Sequence, residues 1–408
     1  MILILISDFM QDEIYLEEET KYYEGFEKVI FFSVKGHVYS NKALRLNKKI
    51  ICGEKDIFYK NNIDRFKTLC KAICSHKGIL EFKKIVKDRK LSFFTIKSYG
   101  LFSAKAELLY DHMKATLEKM HISKEEKIVF YSYRFGIGVL AAQKLRTIYK
   151  RSKIVARCHG QDLFEFRNGY GYLPYRYELY KNVDKLFCIS KDGQNYIKEK
   201  YPQILYKTDV CRLGTKNVKY NKNISNKKFT IITCSRVVPL KRLHLLAEAL
   251  RFFSEKITWI HYGDGDASYG EKIQKSCSAL PDNIQVIFKG FVDNEELRKE
   301  YENISASIFV NLSTSEGLPV SIMEACSVGF PVLATNVGGT SEIVSNGING
   351  YLLNEKFTIK ELVSKLNKLM KMDEMDFIHM SEMSRKIWET SFSSIANYKI
   401  FATKLLEI

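Results

Sequence analysis

The sequence predicts an α/β protein built from two doubly wound parallel-sheet domains, and three observations predict it. Short apolar, β-prone runs alternate with amphipathic stretches along most of the chain. That is the punctuation of βαβ units, and so of parallel sheets covered by helices on both faces. The alternation runs twice, interrupted by the polar, Asn/Lys-rich residues 214–228 (GTKNVKYNKNISNKK), which read as a linker. The length of 408 residues exceeds one ordinary core and suits two of roughly 200 residues each. Domains of 1–214 and 215–390 follow, with a closing helix over residues 391–408 expected to pack back on the first. Open α/β sheets bind ligands at the carboxyl ends of their strands, so a cleft between two such edges is the expected site.

In the first domain, residues 2–6 read as a buried strand, 13–24 as a polar helix and 29–34 as a second strand. Residues 61–120 are helix-prone and basic, and include Phe82-Lys83-Lys84-Ile85-Val86-Lys87 and Leu91-Ser92-Phe93-Phe94. Such a segment is either a solvated helical face or a surface for anionic lipid. Alternation resumes with strands at 127–132, 153–158, 185–190 and 208–213, and helices at 136–149, 172–182 and 192–200. The second domain repeats it: strands at 229–234, 257–262 and 284–288, helices at 240–253, 267–279 and 295–301, then an apolar run at 305–312. Residues 357–408 read as closing helices.

Composition narrows the function. A hydrophobic content of 46% excludes a disordered chain, while a net charge of +17 calls for an anionic partner: a phosphate-bearing substrate, anionic lipid or nucleic acid. No RNP, helix-turn-helix or zinc-finger pattern accompanies the charge, so nucleic acid is not expected. The nine cysteines are scattered singly with no C-x-x-C pair, a reduced pattern. Residues 1–7 (MILILIS) lack a basic flank and are shorter than a signal core, and no apolar run reaches the ~18 residues of a spanning helix. The expectation is a cytoplasmic protein, with the inner membrane face as the surface for peripheral contact.

The most informative stretch is 313–344, STSEGLPVSIMEACSVGFPVLATNVGGTSEIV. The apolar run stops at polar residues 313–316, and Gly317-Leu318-Pro319 opens a periodic run at Val320, Met323, Ala325 and Cys326: strand, tight loop, helix. Pro319 suits a first helical turn, and Gly317 lets backbone approach a ligand. The free N–H groups of such a terminus attract anions and hydroxyls. Glu316 precedes the helix and Glu324 lies within it, so both reach the same mouth of the sheet. Acids beside helix-end donors suit a polyhydroxylated ligand that also carries negative charge. A nucleotide sugar is that kind of molecule.

Other motifs cluster at strand ends. In residues 234–242 (CSRVVPLKR), Arg236 leaves a strand and Lys241 starts a helix, so two cations converge where a pyrophosphate fits; the alternative is a solvated basic loop. Gly263 and Gly265 in residues 262–266 (YGDGD) suit either a tight turn or close approach to a ligand. Arg157-Cys158-His159-Gly160-Gln161-Asp162 ends a strand; a lone His is more often structural, but a strand end faces the ligand edge. Residues 134–141 (RFGIGVLA) hold a G-x-G-x-x-A, yet the next strand ends in Arg157-Cys158-His159 where a dinucleotide site needs an acid. Close helix–strand packing explains those glycines. No His/Cys/Asp cluster has metal-ligand spacing, so neither a metal nor a cofactor is expected.

Glu316 to Glu324, with the following A-C-S-x-G-x-P-V-L-A-T-N-x-G-G-x-S-E, resembles the E-x7-E segment of family-4 retaining glycosyltransferases of the surface-polysaccharide biosynthesis type. The likeness runs through about thirty positions and spans the second domain, with patches of the first at 127–190. It implies the GT-B fold, in which two Rossmann-like domains face a cleft. It also implies donor contacts: Glu316 to sugar hydroxyls, Glu324 to the ribose, Arg236 and Lys241 to the diphosphate, Gly317 and Leu318 at the helix start, and Gly263 and Gly265 beneath the donor. His159-Gly160-Gln161-Asp162, followed by residues 171–176 (GYLPYR), resembles the H-G-x-D element of a subset of that family. On that likeness His159 contacts the transferred sugar and serves catalysis with Glu316, and Asp162 orients acceptor or loop. Arg157 and Arg176 then either take an acceptor phosphate or form internal ion pairs. Ser235 stands where the family commonly has glycine, and residues 9–13 lack the glycines many members carry, although Leu16-Glu17-Glu18-Glu19 matches the helix of one subgroup.

The implied activity is transfer of a sugar from a nucleotide-diphosphate sugar to a saccharide or lipid-linked acceptor with retention of configuration. The acceptor hydroxyl attacks from the leaving-group face and its proton passes to the departing phosphate. The rivals are a GT-B nucleotide-sugar epimerase and a non-catalytic basic binding module.

Overall fold

The computed structural model describes residues 1–7, 14–34, 50–52, 62–168, 171–305 and 307–408. The turn at 9–13 lies outside the described residues. The chain divides into two units: Met1–Cys211 with Tyr398–Ile408, and Arg212–Asn397.

The first unit holds a seven-stranded parallel sheet of β1 (Ile2–Ser7), β2 (Lys28–Ser33), β3 (Ile50–Cys52), β4 (Ile128–Ser132), β5 (Ser152–Cys158), β6 (Lys185–Cys188) and β7 (Thr208–Val210). Their spatial order is β3-β2-β1-β4-β5-β6-β7, so the winding reverses between β1 and β4. Every residue of β1 is buried. Successive side chains of a strand point to opposite faces, and the two faces here feed two cores. Ile2, Ile4 and Ile6 join Phe130, Val139 and Ile154 on one side. Leu3 and Leu5 join Phe31, Tyr131 and Val155 on the other, which Phe401, Ala402 and Leu405 of the terminal helix Ser394–Leu406 cover.

The basic stretch folds as three helices, Asn62–Ile73, His76–Lys87 and Phe93–Lys119. Serines set the two breaks: Ser75 Oγ accepts from Gly78 N (3.1 Å) and Ser92 Oγ from Thr95 N (3.1 Å).

The second unit holds β8 (Phe229–Cys234), β9 (Ile257–Tyr262), β10 (Ile284–Phe288), β11 (Ile308–Asn311), β12 (Val332–Thr335) and β13 (Gly350–Leu353), all parallel. Their order, β10-β9-β8-β11-β12-β13, reverses between β8 and β11. Both sheets therefore have the doubly wound topology that the alternation predicts.

The differences from the sequence reading are local. β3 and β13 have three and four residues, too few to show a period. Of residues 172–182 only Arg176–Asn182 is helical, because Tyr175, after Pro174, takes a left-handed φ of 59°. The polar 214–228 segment is no free tether. Asn221 is buried and donates from Nδ2 to Tyr301 O and Ile304 O, both at 2.8 Å, while Arg385 Nη1 donates to Val218 O at 2.8 Å. Asparagine side chains there do the hydrogen bonding that strand partners do elsewhere, so polarity marks absence of regular structure and not absence of packing.

Candidate functional site

In a doubly wound sheet the carboxyl edge at the reversal leaves a crevice, because the loops leaving the two adjoining strands diverge to opposite faces. In the second unit those strands are β8 and β11, and a small hollow lined by Cys234, Ser235, Lys241, Asn311, Leu312 and Ser313 lies there. After β8 the chain runs through Ser235–Val238 into a single 3-10 turn, Pro239–Lys241. Arg242 then takes a left-handed φ of 51°, held by Nε donating to Leu312 O (2.5 Å), by Nη1 donating to Glu355 O (2.8 Å), and by stacking 4.8 Å over Phe357. Thr314 N also donates to Leu240 O (3.0 Å). The two loops are thus pinned together.

That pinning puts Lys241 Nζ 2.7 Å from Glu316 Oε1, and Asn311 Nδ2 donates to the same oxygen at 3.2 Å. Lys241 and Glu316 are largely covered, at 19% and 13% side-chain exposure, so their charges are only partly screened by water. Arg236 is exposed on the same loop. Ser313 Oγ is buried and has no hydrogen-bond partner among the described residues, leaving a polar atom at this edge. Asn311 and Arg242 escape the sequence reading. Asn311 is the last residue of the strand beside the reversal, and Arg242 directly follows Lys241; those positions are the signals that single them out.

Glu324 lies on the helix Val320–Val328 and is buried. Burial pushes the Cys234 thiol up to about 12; Glu324 pushes it the same way, and Tyr301 and Lys241 oppose. The end of β8 thus feels both the acid of this helix and the cation of the preceding loop. Gly317 O accepts from Gly339 N (2.8 Å), Leu318 is buried, and Pro319 occupies the N-cap position without a side-chain cap. First-turn N–H groups of a helix have no acceptor within it, so this end keeps donors and a positive dipole for a ligand.

Gly263 and Gly265 have a more local explanation than a ligand. Gly263 has φ +124°, and a Cβ on it would stand 2.0 Å from Ser235 O; one on Gly265 would stand 2.6 Å from Val237 O. The turn docks on the 235–237 backbone, with Val237 N donating to Asp264 O and Asp266 N to Val237 O, each at 2.9 Å. These glycines shape the loop that carries Arg236.

In the first unit, His159 follows β5 and is nearly buried, its ring 4.9 Å from that of Tyr133. Asp162 organises this corner: Oδ1 accepts from His159 N (2.5 Å), Oδ2 accepts from Phe135 N (2.8 Å), and His159 Nδ1 is 3.6 Å from Oδ2. Burial raises the Asp162 carboxyl, but His159, Arg134 and the Phe135 N–H outweigh it and leave it below its ordinary value. Asp162 thus ties together the backbone of the two loops that carry His159 and Phe135.

Arg157 and Arg176 correct the acceptor-phosphate reading. Arg157 is completely buried, paired with the equally buried Glu19 and lying 3.9 Å over the ring of Phe401. Arg176 is 4% exposed and sits 4.9 Å over Phe135. Both guanidiniums face inward, where neither meets a soluble phosphate. The glycine fingerprint at 136–138 has a packing cause, since a Cβ on Gly138 would lie 2.5 Å from Ser132 Oγ and 2.8 Å from Ile6 Cγ2. Among the described residues no three His, Cys, Asp or Glu side chains are grouped to hold a metal ion, and no helix is long and apolar enough to cross a membrane.

Residues 215–386, nearly the whole second unit, match the family described as glycosyl transferases group 1. The chain is 26% identical over 338 residues to the amylovoran biosynthesis glycosyltransferase AmsK of Erwinia amylovora, covering 78% of each chain. It is 24% identical over 268 residues to the putative colanic acid biosynthesis glycosyltransferase WcaL of Escherichia coli K12, covering 64% of this chain and 66% of that one. Among solved structures, Anabaena Alr3699/HepE in complex with UDP-glucose superposes over 100% of both chains with a TM-score of 0.64 at 16% identity, a likeness of fold. The second unit thus matches the glycosyltransferase group 1 family, in a protein with the two-unit α/β architecture of the GT-B fold.

Proposed function

We propose that this protein, which carries a glycosyltransferase group 1 domain over residues 215–386, moves a sugar from a nucleoside-diphosphate sugar to a saccharide or lipid-linked acceptor with retention of configuration. The observation that carries the proposal is the meeting of Lys241 and Glu316, 2.7 Å apart, at the reversal between β8 and β11. A diphosphate entering there competes with Glu316 for Lys241 and frees the carboxylate to accept hydrogen bonds from sugar hydroxyls. Arg236 and the amino end of the helix Val320–Val328 share the remaining negative charge. Charge on the diphosphate grows as the glycosidic bond breaks, so these groups stabilise the transition state more than the ground state.

In the proposed reaction the acceptor oxygen forms a bond to the anomeric carbon on the face that the diphosphate leaves. The anomeric C–O bond breaks with its electron pair going to the phosphate, and the acceptor proton passes to the departing phosphate oxygen. No protein-held metal takes part, so added chelator leaves turnover unchanged. Glu324 is assigned to the ribose, and His159, whose backbone N–H donates to Asp162, to the transferred sugar. The polysaccharide names of AmsK and WcaL support a growing saccharide as acceptor, and a lipid-linked one would bring the enzyme to a membrane surface.

The test is incubation of donor with and without a lipid-linked acceptor, with the anomeric configuration of the product read by NMR. Acceptor-dependent product of the donor's own configuration supports the proposal. Conversion of donor without acceptor would identify an epimerase instead.

A further inference from the structure

A single guanidinium ties together the loops that leave four adjoining strands of the second unit, β8, β11, β12 and β13. The backbone of Arg242 ends the turn after β8, and its side chain reaches across the rest. Nε donates to Leu312 O (2.5 Å) and Nη2 to Ser313 O (3.2 Å), both just past β11. Nη2 also donates to Thr335 Oγ1 (3.3 Å) at the end of β12, and Nη1 to Glu355 O (2.8 Å) beyond β13. The half-buried ring of Phe357 lies against the same group, its centroid 4.8 Å from the guanidinium carbon. Only a planar fork of donors meets so many acceptors at once; a lysine ammonium is a point charge and does not.

The backbone at this position is strained. Among the described residues Arg242 is the one non-glycine residue of the second unit with a left-handed φ, 51°. Side chains disfavour that region, which persists where the surroundings over-determine it. Here it separates the 3-10 turn Pro239–Lys241 from the helix Leu243–Leu250. A right-handed residue would run the helix back into the turn and re-aim Lys241. The lysine stem is long and flexible, so its meeting with Glu316 depends on where its backbone is fixed.

We propose that Arg242 is a positioning residue for the donor site, and that Phe357 acts on that site through it. The clasp holds the β8 loop against the β11 loop, so that Lys241 and Glu316 are in place before a ligand arrives. Neither Arg242 nor Phe357 lines the hollow. The inference rests on the proposed function in taking that hollow as the donor site.

The experiment compares Arg242→Gly, Phe357→Leu and Phe357→Tyr with the wild type in steady-state transfer and as ligand-free crystal structures. Glycine adopts the left-handed φ readily, so Arg242→Gly removes the guanidinium and keeps the turn. Its donor KM should rise and its kcat/KM for donor fall at least about tenfold, with the acceptor KM unchanged. Phe357→Leu should lose part of the same quantity and Phe357→Tyr, which keeps the ring, restore it. Arg242→Gly/Phe357→Leu should be no worse than Arg242→Gly alone, because residues acting through one contact are not additive. The crystal structure of Arg242→Gly should show Lys241 parted from Glu316. If that variant does not fold, the two Phe357 variants carry the test. Wild-type donor kinetics in folded Arg242→Gly, losses that add in the double variant, or an intact Lys241–Glu316 pair in its structure overturns the proposal. A wild-type chain that moves no sugar overturns the proposed function instead, and the place of Lys241 in the ligand-free variant then decides the clasp by itself.

Discussion

Lys241 Nζ lies 2.7 Å from Glu316 Oε1, and 75 residues of chain separate the two. The pair exists because the loop after β8 and the loop after β11 leave neighbouring strands and are pinned by Arg242. Each charge keeps the other neutralised in a largely covered place until something better arrives. Lys241→Ala should therefore do two kinds of harm: it removes the cation proposed for the diphosphate and leaves Glu316 without its cationic neighbour. A fall in kcat/KM of about 100-fold or more is expected, measured by steady-state transfer at saturating acceptor. Glu316→Ala and Glu324→Ala should each fall comparably.

Asn311 gives a finer probe. Its amide donates to the same Glu316 oxygen at 3.2 Å, so it holds the carboxylate without itself carrying charge. Asn311→Ala should lower turnover by about tenfold, and Asn311→Asp more, since it sets carboxylate against carboxylate. If the aspartate variant matches the alanine variant at neutral pH, the two side chains are not in contact during turnover.

Arg157 is expected to behave as a structural residue. With Glu19 and Arg157 both completely buried, Arg157→Ala strands an acid in the core and should cost about 3–5 kcal/mol, measured by denaturant unfolding. An acceptor-binding arginine would instead raise the acceptor KM and leave stability alone.

His261 predicts a pH dependence. It is wholly buried on β9, and burial pushes its imidazole down to about 4. Trp259 Nε1 donates to Thr233 Oγ1 at 2.8 Å, which leaves the threonine proton for His261 Nδ1, also at 2.8 Å. The folded pKa is thus depressed relative to about 6.5 in the unfolded chain. The unfolded state binds the extra proton between these values, so the stabilisation is whole above about pH 6.5 and is lost as the pH falls towards 4. About 3 kcal/mol should disappear across that window. His261→Gln should flatten the slope in pH-dependent unfolding; an unchanged slope would mean the imidazole is not held neutral.

The sequence carries some of this and hides the rest for a physical reason. Strand and helix alternation is local, so the long buried strands such as β1 and β8 and the helix after Pro319 are legible. Lys241 and Glu316 are legible as residues of one kind of sheet edge because each follows a strand; that they pair with each other is not, since it depends on which strands adjoin. Arg157 misleads because its partner Glu19 lies 138 residues away and on another element. Nothing near a strand-end arginine says whether it looks outward or into the core. The 214–228 segment misleads in the opposite sense: its polarity is spent on buried hydrogen bonds.

The most direct measurement is the thermal unfolding of the wild-type chain, Lys241→Ala and Glu316→Ala against a panel of UDP-, GDP- and ADP-sugars. At a hundredfold excess over Kd, a binding donor adds about 2.7 kcal/mol, a shift of several degrees. The account requires one class of nucleotide sugar to raise the wild-type Tm and to raise that of neither variant. A wild-type chain indifferent to every nucleotide sugar, or variants stabilised as much as the wild type, would contradict it.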